Sequence, residues 1–127
     1  MHTGGSVRAV LGLALLIWII GPPLAPSSLW GQDRLGDPSA GKALYEHHCQ
    51  QCHGAAGWGD GPKGRDLIVP PANFHSPVFR LKSDEQVLMS IEFGVVMSSM
   101  HAWRGRLGEQ EMRDLVAYVR LLSQQVR

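Results

Sequence analysis

The apolar positions near the C-terminus follow the spacing of an amphipathic helix. They recur at intervals of three and four residues, which predicts a helix from about Glu109 to Ser123, at Met112, Leu115, Val116, Val119 and Leu122. A second helix is predicted from Pro38, with Asp37 as its cap, to about Gln50. We expect the apolar face of the C-terminal helix to pack against this first helix.

A third helix is predicted between these two. Ser83 is followed three residues later by Gln86, the pattern of a capping box, ahead of a short apolar-rich segment. This helix is expected to run from Asp84 to about Phe93 and to end at Gly94. Two methionines, Met89 and Met112, fall inside predicted helices, and both are expected in the core.

Residues 55–82 show neither helical nor strand periodicity and are rich in glycine and proline. A structureless stretch of this length is uncommon in a compact domain unless it has a special role. We therefore expect it to wrap a bound group, with apolar side chains laid against that group, namely Leu67, Ile68, Val69, Phe74 and Phe79. With no strand predicted, the fold class is all-α, with three to four helices and long loops.

The N-terminal segment has the layout of a secretory signal peptide. An unbroken apolar run spans Val10–Ile20 and is followed by prolines and small residues. We predict a signal peptide over residues 1–31 and one domain over residues 32–127, exported or periplasmic. The alternative is an uncleaved membrane anchor over Val10–Leu29, which would associate the protein with a membrane.

The charge of the domain says little about partners. From Gln32 onward the basic and acidic side chains are equal in number, so no basic surface is indicated. Nucleic acid is therefore excluded as an expected partner.

Candidate chemistry is concentrated at Cys49-Gln50-Gln51-Cys52-His53. Two thiols three residues apart, followed by a histidine, are typical of covalent attachment of one haem c, with each sulfur bonded to a vinyl group and His53 on the iron. A thioredoxin-like dithiol would need a preceding strand, and a helix is predicted there. The chain has only two cysteines, which excludes a four-thiolate zinc site. A zinc site of two thiolates and two imidazoles is possible by count, because the chain has six histidines, but haem is the favoured interpretation of the motif.

The second axial position on a haem iron decides its chemistry. Methionine there closes the iron and raises its potential, whereas a vacant site admits gases or peroxide. The segment between the last two helices supplies Met97, Met100 and His101 as candidates. Trp58 has two interpretations, as a donor to a haem propionate or as a lid over the core.

Several segments together resemble class I cytochromes c of the bacterial type. They comprise residues 40–45 with 49–54, the glycine turns and proline loop over 57–74, and residues 94–118. The resemblance implies His53 as proximal ligand and Met100 as distal ligand. It also implies that the carbonyl of Pro70 or Pro71 accepts the ring N–H of His53. The family usually has proline after the ligand methionine, where this chain has His101.

The expected function is single-electron transfer between a redox protein donor and a redox protein acceptor, with no catalytic residues. One alternative is a fixed haem c subunit of a larger membrane-associated oxidoreductase complex. Another is a gas-binding sensor or enzyme with an open iron site.

Overall fold

The computed structural model describes residues 36–125, within which every regular element is helical. Three helices have ten or more residues, namely α1 (Pro38–His48), α4 (Asp84–Phe93) and α5 (Glu109–Gln124). Two short helices, α2 (Gln50–His53) and α3 (Pro77–Arg80), lie between them. The predicted all-α fold is confirmed. The predicted signal peptide or anchor lies outside the described residues.

The helix boundaries follow from local side-chain chemistry. The carboxylate of Asp37 accepts the backbone N–H of Ser39, and Pro38 stands at the first helical position of α1. At α4 the Ser83 hydroxyl and the Gln86 amide exchange hydrogen bonds with each other's backbone N–H groups, which completes the predicted capping box. These short-range bonds explain why the sequence pattern located both starts correctly.

Helices α1 and α5 pack closely, as the amphipathic pattern predicted. A Cβ atom added at Gly41 would lie 1.9 Å from the carbonyl oxygen of Asp114, so the two backbones meet where glycine leaves room. The ring of Tyr45, fully buried, meets Tyr118 edge to face with centroids 5.3 Å apart. The carboxylate of Asp114 accepts the backbone N–H of Asp37 at 2.8 Å and so ties the start of α1 to α5.

Two apolar residues lie outside the core, contrary to the predictions. Met89 is 57% exposed, because α4 turns Val87 and Ile91 inward and Met89 is 200° around the helix from Val87. Ile68 is fully exposed, while its neighbours Leu67 and Val69 line the interior cavity described below. Met112 is buried in the core, as predicted.

The loop between α4 and α5 is fastened at both ends. The backbone N–H of Val95 donates to Met100, and those of Trp103 and Arg104 donate to carbonyls in the last turn of α4. These bonds satisfy groups that a helix end leaves without partners. Within residues 36–125, none of the helices has the length and hydrophobicity that a membrane span requires.

Gly94 is the position in this loop that least tolerates a side chain. Its φ of 73° and ψ of −172° belong to a region occupied by glycine, and a Cβ would lie 2.5 Å from the Met100 carbonyl oxygen. We expect Gly94→Ala to lower the free energy of unfolding by roughly 3 kcal/mol or more, measured by denaturant titration of the purified protein.

Gly105 provides the matched control, because its φ is 79° but no atom lies within 4 Å of the added Cβ. Gly105→Ala should lower the free energy of unfolding by only about 1–2 kcal/mol, from backbone strain alone. Equal losses in the two variants would contradict the role given to the close contact at Gly94.

Candidate haem site

The Cys49–His53 segment forms one helical turn directly after α1. The backbone N–H groups of Cys52 and His53 both donate to the carbonyl of Cys49, at 3.1 and 3.0 Å. Residues three and four apart in a helical turn lie on the same side. Accordingly, the structure places Cys49, Cys52 and His53 together on the wall of one cavity.

The glycine-rich loop holds this turn by its carbonyl groups. The backbone N–H groups of Gly59, Gly61 and Lys63 donate to the carbonyls of His53, Cys52 and Gln51 respectively, at 2.9 to 3.1 Å. A Cβ at Gly61 would lie 2.5 Å from the Gln51 carbonyl oxygen, so the approach requires glycine. The loop thus supplies the partners that the end of a short helix lacks.

The cavity lies inside the hydrophobic core and has a volume of about 370 Å³. That size falls within the range of small-molecule and cofactor sites. Most of its lining is apolar and comes from helices α1, α4 and α5 and from both long loops, including Tyr45, Leu67, Val69, Phe74, Phe79, Val87, Ile91, Trp103, Leu115 and Val119. Four of the five loop side chains that we expected to face a bound group do line it, and Ile68 does not.

The imidazole of His53 is oriented by one hydrogen bond and one ring contact. Its Nδ1 lies 3.3 Å from the carbonyl oxygen of Ala72, and because a carbonyl can only accept, the proton sits on Nδ1. The ring stacks on Phe74 with centroids 4.9 Å apart. Burial lowers the pKa of His53, which the bond to Ala72 partly opposes, so the ring is kept neutral with Nε2 unprotonated.

The acceptor of this bond is Ala72, not Pro70 or Pro71 as the resemblance implied. The carbonyl of Pro71 faces the backbone of Gly59 instead, where an added Cβ would lie 2.6 Å from its oxygen. Both prolines nevertheless line the cavity. The resemblance indicated the loop that contains the acceptor, but the accepting residue, Ala72, lies one or two positions after the prolines that it implied.

The two thiols are free and half-buried. Burial, with a smaller contribution from the neighbouring Cys52, raises the pKa of the Cys49 thiol to about 12. Cys49 is therefore a neutral thiol at physiological pH and not a reactive thiolate of the thioredoxin kind.

The three candidates for a second axial ligand are placed differently. The side chain of Met100 packs against the core and lines the cavity. Met97 is 90% exposed and is not among the lining residues. His101 also lines the cavity, but it is exposed, and its ring lies 4.6 Å from that of Trp103.

Trp58 stacks on the ring of His75, with centroids 3.8 Å apart and planes inclined by 15°. His75 is buried, and its Nε2–H donates to the Ala56 carbonyl at 2.7 Å. Trp58 is not among the residues lining the cavity. Its position over a buried ring favours the interpretation as a lid.

Trp103 and Ala72 are among the lining residues that were not singled out from the sequence for this site. Trp103 is buried between His48 and His101, with ring centroids 4.9 and 4.6 Å away. The sequence signal that could have identified Trp103 is a large aromatic residue directly after the segment that carries the candidate ligands. For Ala72 no sequence pattern exists, because any residue provides a backbone carbonyl.

The residues present fit a covalently attached haem. An apolar cavity within the core offers two free thiols, one neutral imidazole with an unprotonated Nε2 and one thioether. Soft sulfur and neutral imidazole are donors that suit haem iron.

Comparison with known proteins agrees with this chemistry. Residues 36–119 match the family described as cytochrome c oxidase, cbb3-type, subunit III. The chain is 32% identical over 90 residues to cytochrome c-554(547) of Halothiobacillus neapolitanus, covering 69% of this chain and 99% of that protein.

Two solved structures are similar in fold. One belongs to the Kuenenia stuttgartiensis reducing HAO-like protein complex Kustc0457/Kustc0458, with a TM-score of 0.60, 27% identity, and coverage of 71% of this chain and 43% of that one. The other is the KustC0563 c-type cytochrome, with a TM-score of 0.55, 28% identity, and coverage of 66% and 98%. The chain therefore belongs to the c-type cytochrome family and is a haem c electron-transfer protein.

Proposed function

We propose that this protein is an exported monohaem cytochrome that carries single electrons between two redox proteins. One haem would be attached through Cys49 and Cys52, with His53 and Met100 as its axial ligands. The observation that supports this is one core cavity to which both thiols, the imidazole and the thioether contribute.

The thiols and the imidazole of the helical turn would each bind a different part of the haem. Each thiol S–H would add across one vinyl double bond of the porphyrin, forming a thioether and leaving no free thiol to oxidise. His53 would bind iron through Nε2, because Nδ1 carries the proton donated to Ala72. That hydrogen bond fixes the ring orientation and makes the imidazole a stronger donor.

Met100 is the second axial ligand in this proposal. Its backbone is held by Val95 N–H on its carbonyl and by the Ser98 hydroxyl on its N–H, at 2.9 and 3.1 Å. Its side chain packs on the core, whereas His101 is exposed beside Trp103. A fastened backbone suits a ligand that must keep its place in both oxidation states.

When bound, haem supplies the one-electron chemistry, and the chain's own residues position and tune it. The aromatic and aliphatic lining would exclude water from the bound group. A dry site with a neutral thioether would favour the less charged ferrous state and so raise the reduction potential.

A second candidate is a fixed haem c subunit of a larger oxidoreductase complex. The similarity to a chain of the Kuenenia complex favours this candidate, because that chain is part of an assembly. The match covers 43% of the length of that chain. The N-terminal segment would be a membrane anchor in this case and a cleaved leader in the first. Native purification followed by N-terminal sequencing would distinguish the two, since a lone chain beginning near Gln32 supports the carrier.

Covalent attachment of haem to the two cysteines can be tested directly. Mass spectrometry of the exported wild-type protein should show the added mass of one haem. Cys49→Ser and Cys52→Ser should each retain one thioether at reduced yield, and the double variant should carry no covalent haem. An exported wild type without added porphyrin mass would overturn the proposal.

The assignment of Met100 as an axial ligand can be tested by absorption spectroscopy. The weak far-red band of methionine on ferric iron should be lost in Met100→Ala, with a fall in potential, because the thioether favours ferrous iron. The band should persist in the matched controls Met97→Ala and His101→Ala. Carbon monoxide binding by untreated ferrous wild type would instead indicate an open iron site.

A further inference from the structure

His75 is a buried histidine that the proposed electron transfer does not use. It is 8% exposed, and it is not among the residues that line the cavity. Its Nε2–H donates to the carbonyl of Ala56 at 2.7 Å, and its backbone N–H donates to the side-chain oxygen of Asn73 at 2.8 Å. Because burial of a polar side chain is costly without hydrogen bonds, the partners of His75 indicate what it does.

The bond between His75 and Ala56 joins two segments of the chain that lie side by side. One residue further along each segment, the backbone N–H of Phe74 donates to the Gly57 carbonyl at 2.8 Å. A Cβ added at Gly57 would lie 2.5 Å from the Phe74 ring. The two segments are therefore in close contact as well as hydrogen-bonded.

The other end of the same two segments lies at the hydrogen bond that orients His53. A Cβ added at Gly59 would lie 3.4 Å from the carbonyl oxygen of Ala72. That oxygen is the acceptor of the Nδ1–H of His53. We call residues 56–59 and 72–75 the paired segments.

Both printed contacts of the His53 ring come from one of the paired segments. Ala72 provides the carbonyl, and Phe74 provides a ring whose centroid lies 4.9 Å from that of the imidazole, with planes inclined by 20°. A shift of this segment would change the hydrogen bond and the stacking together. His75 directly follows Phe74 and bonds the segment to its neighbour.

The surroundings of the His75 ring provide a second observation. Trp58 covers one face, with centroids 3.8 Å apart and planes inclined by 15°. The Nδ1 atom is buried and has no hydrogen-bond partner among the described residues. A phenylalanine would stack on Trp58 without leaving such an atom unsatisfied. The Nε2–H donor is therefore the property for which this position needs histidine.

We propose that His75 is a positioning residue for His53, the proposed proximal ligand of the haem. Its bond to Ala56 holds the paired segments together. Ala72 and Phe74 are thereby kept against the imidazole, one as its hydrogen-bond acceptor and the other as its stacking partner. This inference rests on the proposed function, because it concerns a ligand of the same haem site.

The role of His75 has a consequence for the reduction potential, with a definite sign. A hydrogen bond from Nδ1 makes the imidazole of His53 a stronger donor to iron. A stronger donor favours ferric iron, because the ferric state carries the higher positive charge. Loosening the paired segments weakens this bond and should raise the potential.

His75→Gln and His75→Asn form a matched pair of variants. Both lose the ring that stacks on Trp58. The glutamine Nε2–H extends about as far as the histidine Nε2–H and reaches the Ala56 carbonyl, whereas asparagine is one methylene shorter. His75→Phe is the converse variant, because it keeps a ring and loses the donor.

The reduction potential of the purified holo-protein is the first measurement. His75→Asn and His75→Phe should shift the equilibrium roughly threefold toward ferrous iron, which is about 28 mV for a one-electron couple. His75→Gln should restore the wild-type equilibrium to within about 1.5-fold, because it retains the donor.

The orientation of the His53 ring is the second measurement. In ferric protein the plane of the axial imidazole determines the spread of the four haem methyl resonances in the proton NMR spectrum. This spread should change in His75→Asn and His75→Phe and stay at its wild-type value in His75→Gln. Leu122→Ala is the stability control, because Leu122 is 2% exposed and does not line the cavity. It should lower the free energy of unfolding and leave the potential and the spread unchanged.

Unchanged potential and methyl spread in both His75→Asn and His75→Phe would overturn the positioning role. Equal changes in His75→Gln and His75→Asn, or in Leu122→Ala, would overturn it as well. Failure of His75→Asn and His75→Phe to bind haem, while Leu122→Ala binds it, would assign His75 to the fold alone and likewise overturn it.

The far-red methionine band keeps this inference separate from the proposed function. A His75 variant that retains the band with unchanged potential and methyl spread refutes the positioning role alone. Absence of the band from wild type refutes the proposed iron ligands.

Discussion

The contact between α1 and α5 is the interaction on which the rest of this structure depends. The two backbones meet at Gly41 and Asp114, and Tyr45 packs between them beside Tyr118. Because the Cys49–His53 turn follows α1 without a break, this contact sets the position of both thiols and the imidazole. The hydroxyl of Tyr45 then donates to the Gly54 carbonyl at 2.6 Å, which ties the end of the turn to the same contact. A small change in this helix pair would therefore move every donor on that wall.

Two further walls of the cavity are loops fastened by backbone hydrogen bonds. The glycine-rich loop holds the carbonyls of the helical turn, and the loop carrying Met100 is tied to the last turn of α4. Such an arrangement satisfies polar groups locally and leaves apolar side chains free to face a prosthetic group. Residues of both loops thus line the same cavity as the helices.

Sequence reasoning succeeded where the determinants lie within a few residues of one another. The cap at Asp37, the capping box at Ser83 and the end of α4 at Gly94 all depend on contacts inside a single turn. It failed where the direction of a side chain depends on a distant neighbour. Met89 and Ile68 are both apolar, and only the packing of α4 and of the loop decides that they face solvent.

For the site, the spacing of Cys49, Cys52 and His53 determined the kind of cofactor, because thiols and imidazole at that spacing share one side of a helical turn. The sequence alone left Met97, Met100 and His101 as candidates and indicated Met100 through resemblance. The tertiary structure turns Met97 away from the cavity and selects Ala72 as the partner of His53. These choices depend on how two loops fold back on the core. Residue type does not distinguish one methionine from another, nor one backbone carbonyl from another. The sequence therefore determined the chemistry and the helices, whereas the tertiary structure decided which neighbouring groups face the site.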